Sequence, residues 1–215
     1  GHQVFVAAHP QFQTLWQFNP FVTACLTTKT ITPAFLKTLK TEQFDVLVDL
    51  HNNNKTKQIR RHLQVPAMIL DKQNIKKALL VWTKLTCFAV RPIILRYLDT
   101  VKNLVDKPLT PTLRFYLSPQ PEPKTLDALP SEPYLAFVIG GQHKGKMMTP
   151  QRILDFCKQT PFPTVLIGGP EDAEVGDWVV QNCGNANLVS LAGKLNIMES
   201  AHAIHLAQAV LTHDT

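Results

Sequence analysis

Residues 134–215 alternate short apolar, β-branched runs with stretches whose apolar residues recur three and four positions apart. No other feature constrains the fold as much. Residues 134–139, 164–167, 188–191 and 209–212 read as strands, and 150–159, 173–181 and 197–207 read as helices. Strand–helix–strand units joined by short loops give right-handed crossovers and a parallel sheet. The same alternation runs less sharply through the first half. Residues 4–8 and 46–50 read as strands there, and 33–40, 55–63, 74–88 and 93–105 as helices. Both halves are therefore expected to be α/β and Rossmann-like.

Between the halves lies 118–133, SPQPEPKTLDALPSEP, with five prolines and no apolar period. It reads as an extended, stiff linker. The expected division is residues 1–117, 118–133 as linker, and 134–215. Charge follows the same division. Residues 1–120 hold 16 Lys and Arg against 6 Asp and Glu, whereas the remainder holds 6 against 10. A basic first half points to an anionic partner. A 45% hydrophobic content in 215 residues excludes a disordered tail or a collagen-like chain. Cys25, Cys87, Cys157 and Cys183 form no C-x-x-C pair, which argues for thiols in a reducing compartment. The opening Gly1-His2-Gln3 has no signal-peptide character, and no apolar run reaches the roughly 20 residues of a bilayer span. A cytoplasmic location is the expectation.

Ligands of open parallel sheets bind beyond the carboxyl ends of the strands, so the loops there carry the candidate chemistry. After 134–139 comes GGQHKGKMMTP, in which Gly140 and Gly141 admit close backbone approach and Lys144 and Lys146 supply cations before a helix start. That arrangement suits a phosphate group, although a solvated basic turn is an equally good account. After 164–167 comes GGPEDAE. Glu171 stands where a carboxylate could accept ribose hydroxyls, or where it merely complements the helix dipole. After 209–212 come His213, Asp214 and Thr215. In the first half, residues 46–50 run into His51-Asn52-Asn53-Asn54-Lys55, either a polar site or a turn. His202 and His205 read as surface residues, and Trp16, Trp82 and Trp178 as packing.

Taken together, four blocks resemble glycosyltransferase family nine, the ADP-heptose:lipopolysaccharide heptosyltransferases. They are FDVLVDLHNNNKTKQIRRHL, GGQHKGKMMTP, LIGGPEDAEVG and LVSLAGKLNIMESAHAIHLAQAVLTHDT. The resemblance implies a GT-B fold, two Rossmann-like domains facing across a cleft. Residues 1–117 would form the acceptor side, with its first strand and glycine–aspartate loop ahead of Gly1, and 134–215 a truncated nucleotide-sugar side. It implies nucleotide-sugar contacts at Gly141, Lys146, Gly169, Glu171, Asp214 and Thr215, and an acceptor-side cleft at His51, Asn53 and Lys55. The family's catalytic base would precede Gly1, so this piece alone is expected to be inactive.

The implied reaction is inverting and needs neither metal nor cofactor. A sugar, heptose first among the candidates, passes from a nucleotide diphosphate such as ADP-heptose to a lipopolysaccharide-core acceptor. Peripheral contact with an anionic inner membrane fits the basic first half, and no nucleic-acid partner is expected. The alternatives are a non-catalytic nucleotide-sugar-binding module and a GT-B transferase of other specificity. Met147, Met148 and Thr149 stand where the family often has bulky aromatic and proline residues.

Overall fold

A computed structural model describes residues 2–106, 110–141 and 143–213. In chain order the elements are β1 (Phe5–Ala8), α1 (Thr14–Gln17), β2 (Ala24–Thr27), α2 (Pro33–Thr41), β3 (Leu47–Asp49), α3 (Asn54–Leu63), β4 (Ala67–Ile69), α4 (Asn74–Thr83) and α5 (Ile93–Val101). There follow α6 (Pro123–Asp127), β5 (Leu135–Val138), α7 (Pro150–Gln159), β6 (Thr164–Ile167), α8 (Ala173–Cys183), β7 (Leu188–Ser190), α9 (Ile197–Leu206) and β8 (Ala209–Thr212). Two compact units result: residues 1–6, 11–25 and 115–215, and residues 7–10 and 26–114.

The larger unit is built on a four-stranded sheet in the order β7-β6-β5-β8, every pair parallel. Strand side chains alternate between the faces. Phe137, Ile139 and Leu166 meet Ile153, Leu154 and Cys157 of α7 and Val179 of α8 in one core. Tyr134, Ala136, Val165 and Ile167 meet Ala203 and Ile204 of α9 in the other. Helices therefore cover both faces, which is why these strands are apolar throughout. Phe137, Val165, Leu166 and Val179 are fully buried, each contributing roughly 1.5–3 kcal/mol. Burial pushes the Cys157 thiol up to about 12, with a smaller contribution from Cys183, and pushes the Tyr134 phenol up to about 12. The Tyr134 hydroxyl donates to the Ala203 carbonyl.

The proline-rich segment is not simply extended. Pro123 starts the short helix α6, where proline's fixed φ suits the first turn, and Thr125 within it is fully buried. Ser118 is held to His202 at 2.7 Å. In the smaller unit β3 pairs parallel with β4, and β1 pairs with β2 in a separate two-stranded sheet. The helix expected over 74–88 stops at Thr83. Lys84 turns to a φ of 60°, its N–H bonds the Leu80 carbonyl, and a 3₁₀ turn Thr86–Phe88 follows. Arg96 of α5 is buried and donates to the carbonyls of Arg91 and Lys72, a packing role.

Candidate functional site

Chain order through the larger sheet sets a switch point between β5 and β8. The path β5, β6, β7 steps outward in one direction, and α9 then returns the chain to the other side of β5, where β8 pairs Leu135 with Ala209 through Val138 with Thr212. The direction of winding reverses between β5 and β8, and loops leaving such a point part to admit a ligand. The loop after β5 holds Gly140, Gly141 and Lys146, and the loop after β6 holds Gly169 and Glu171. Because β5 and β6 are parallel neighbours, both loops leave the same edge of the sheet. His213 follows β8 at that edge too. Asp214 and Thr215, expected to complete the set, lie outside the described residues.

Glycine is required at several of these positions by close approach. A Cβ on Gly140 would lie 2.5 Å from Asp172 Oδ2, and one on Gly168 would lie 2.8 Å from the same oxygen. Asp172 is buried, and its Oδ2 accepts the Gly169 N–H at 2.8 Å, while its own N–H donates to the Gly169 carbonyl at 3.0 Å. The Asp172 carboxylate thus packs on the backbones of both loops. Sequence reasoning singled out Glu171 and passed over its neighbour. Glu171 is exposed and folds over Gly169, where an added Cβ would lie 2.7 Å from its Oε2. One of the two adjacent acids builds the loop, and the other remains available to a ligand.

Lys146 closes a 3₁₀ turn, Lys144–Lys146, with its N–H bonded to the His143 carbonyl. The residue is exposed. Gly141 lets Met147 pack onto the backbone, since a Cβ there would meet Met147 Cγ at 3.0 Å. Thr149 caps α7 by accepting the Arg152 N–H. His213, not among the expected contacts, ties this loop to β8. Its Nε2 accepts the Met148 N–H at 3.3 Å, its ring meets Phe137 edge-on, and its buried Nδ1 has no partner among the described residues. An Nε2 that accepts leaves the ring proton on Nδ1. The only available signal was the placement of His213 directly after an apolar strand.

In the smaller unit the loop after β3 is held by Asp49. Its Oδ1 accepts the N–H groups of His51 and Asn52, and its Oδ2 pairs with Arg60 of α3. The Asp49 side chain is 1% exposed. Asn52 donates to the Leu70 carbonyl and adopts a φ of 42°. Asn53 caps α3, its Oδ1 accepting the Thr56 N–H while Thr56 Oγ1 accepts the Asn53 N–H. Capping therefore engages Asn53, whereas His51 and Lys55 are exposed.

Several expectations need correction. His202 is not a surface residue: it is 5% exposed. Ser118 Oγ lies 2.9 Å from the Gln120 carbonyl, which can only accept, so the hydroxyl proton goes there and His202 Nε2 donates to Ser118. That arrangement fixes the linker and does not activate a nucleophile. His202 lines a cavity of about 170 Å³ with Phe18, Glu122 and Asn196, and none of the described donor-site residues lines it. Trp82 does not pack, being 83% exposed.

The profile of glycosyltransferase family 9 (heptosyltransferase) matches residues 33–215. The chain belongs to glycosyltransferase family 9. Among solved structures it is similar to a family 9 glycosyl transferase from Veillonella parvula, with a TM-score of 0.74 at 16% identity, covering 98% of this chain and 66% of that one. It is also similar to the E. coli ADP-heptose lps heptosyltransferase II, with a TM-score of 0.69 at 17% identity, covering 99% and 70%. A third is the E. coli heptosyltransferase WaaC with ADP, with a TM-score of 0.69 at 16% identity, covering 100% and 72%. The chain thus spans about two thirds to three quarters of the length of these family 9 structures. No curated protein matches it. The fold is α/β of the GT-B type.

Proposed function

We propose that the protein is a glycosyltransferase that moves a sugar, heptose, from a nucleotide-diphosphate donor such as ADP-heptose to a lipopolysaccharide-core acceptor. The acceptor hydroxyl attacks the anomeric carbon from the face opposite the phosphate, inverting it. The anomeric C–O bond to the diphosphate breaks, and the hydroxyl proton passes to a general base. No cofactor enters. The leaving diphosphate has its growing charge met by Lys146 and by loop N–H groups at the carboxyl edge of the sheet. Glu171 accepts the ribose hydroxyls, and Asp214 and Thr215 contact the nucleotide. The acceptor lies toward His51, Asn53 and Lys55, and a basic first half suits an enzyme that works in the cytoplasm against an anionic membrane face. The observation that carries this reading is the reversal of winding between β5 and β8, with the Lys146 loop leaving β5 and the Glu171 loop leaving adjacent β6.

Lys146 and Glu171 should separate kinetically in the full-length enzyme. Lys146 acts on charge that develops as the bond breaks, so Lys146→Ala should lower kcat as well as donor affinity. Glu171 grips a remote part of the donor, so Glu171→Gln should raise the donor KM, spare kcat, and weaken the preference for ribo- over 2′-deoxyribonucleotide donors. A fall in kcat with an unchanged deoxy preference would remove Glu171 from the ribose site.

A further inference from the structure

Helix α4 shows water the wrong face. In a helix that covers a core, the solvent side is polar. Here the exposed side carries Ile75 (78% exposed), Ala78, Val81 (68%) and Trp82 (83%), and no residue of α4 is fully buried. Ile75, Ala78 and Trp82 fall at i, i+3 and i+7, one stripe along the helix. Leu85, in the turn that follows, is 55% exposed. Basic residues frame this stripe: Lys76, Lys77 and Lys84 are all exposed, and no acidic residue occurs between Lys72 and Arg91.

We infer that this face of α4 docks the protein on an anionic lipid bilayer. The inference deepens the reading of a membrane-facing acceptor side and names the surface that meets the membrane. An apolar stripe alone could await another protein segment, but a stripe flanked only by cations calls for a partner that is apolar inside and negative at its surface. A bilayer with anionic headgroups has that profile: tryptophan settles at the headgroup level, and lysines stay in the anionic layer. Among the described residues no helix is long and apolar enough to cross a membrane, so contact through α4 is peripheral.

The test uses the full-length protein and large vesicles of phosphatidylcholine, with or without 30% phosphatidylglycerol and free of any glycolipid acceptor. Co-sedimentation should be strong with the anionic vesicles, weak with the neutral ones, and weakened by salt. Each lysine near such a surface is worth about fivefold in binding, so Lys76→Gln/Lys77→Gln/Lys84→Gln should lose on the order of 100-fold. Trp82→Ser should lose about tenfold, and its exposure means that the fold survives, which an unchanged melting curve verifies. Lys37→Gln/Lys40→Gln removes two exposed cations of α2 in the same unit and should lose much less than the matched α4 pair Lys76→Gln/Lys77→Gln, which should lose about 25-fold. Equal losses from the α2 and α4 pairs would reduce the effect to general charge and overturn the inference. So would unchanged binding by Trp82→Ser, or a concentration-dependent dimer that Trp82→Ser abolishes in a protein that ignores vesicles. Because no donor or acceptor is present, failure here leaves sugar transfer standing. Failed transfer with intact vesicle binding would leave the docking face standing.

Discussion

Gly140→Ala should damage the donor loops through one identifiable atom. The new Cβ would lie 2.5 Å from Asp172 Oδ2, with ordinary contact at 3.5 Å to the Gly168 Cα beyond it. The carboxylate must move, yet it is buried and accepts the Gly169 N–H at 2.8 Å. A hydrogen bond to a charged group contributes about 1.5–3 kcal/mol, and overpacking costs about 1–3 kcal/mol. Because the two effects share one displacement, a total of about 3 kcal/mol is expected, not their sum. Asp172→Ala should cost about 2 kcal/mol by removing the same bond. In that background Gly140→Ala should become nearly neutral, since the atom it strikes is gone, leaving a coupling of about 2–3 kcal/mol. Urea unfolding measures it, with Trp82→Phe as the parent so that Trp16 and Trp178 report on the larger unit. If the two changes are simply additive, Gly140 is not held to glycine by Asp172, and the account of how the two loops are joined fails.

Two further outcomes follow from buried groups. Asp49→Asn should destabilise the smaller unit by about 3–5 kcal/mol in denaturant titrations, because an amide cannot answer Arg60 while accepting both loop N–H groups; a loss below about 1 kcal/mol would show that the pair is ornamental. Cys157 has a folded-state pKa raised to about 12, so its contribution is complete below pH 9 and is lost as pH rises from 9 toward 12. Cys157→Ala should flatten that alkaline decline, and with a thiol reagent at pH 8 the exposed Cys87 should react long before Cys157. Equal labelling rates at the two would contradict the burial.

Legibility in the sequence tracked burial. Strands β5 to β7 stood out because cores on both faces demand unbroken apolar runs, and β8 stood out by its apolar run although it is mostly exposed. β2 and β4 did not: β4 is three residues long, exposed at both ends, and carries no period. Helix α4 was overextended because Leu85 and Phe88 continue its spacing, while the stop is a lysine in a left-handed conformation where glycine would have given a signal. At the site, the loops were readable from their glycines and charges, but the division of labour between Glu171 and Asp172 was not. Which of two neighbouring acids turns inward depends on where Gly140 lies, and that is set by β5, more than 30 residues earlier in the chain.

The pairing of β5 with β8 also sets the order in which this domain can be made. Among the described strands β5 is the first of its sheet to be synthesised, and one of its two flanks pairs with β8, about 70 residues later. During synthesis β5, β6 and β7 can pair as they appear, but the backbone groups on the other side of β5 stay open until Ala209–Thr212 arrive. Long-range parallel pairing is slow, and an open strand flank in an unfinished sheet is a template for the wrong neighbour. The reversal of winding at β5 therefore makes the nascent sheet depend on residues made well after its central strand.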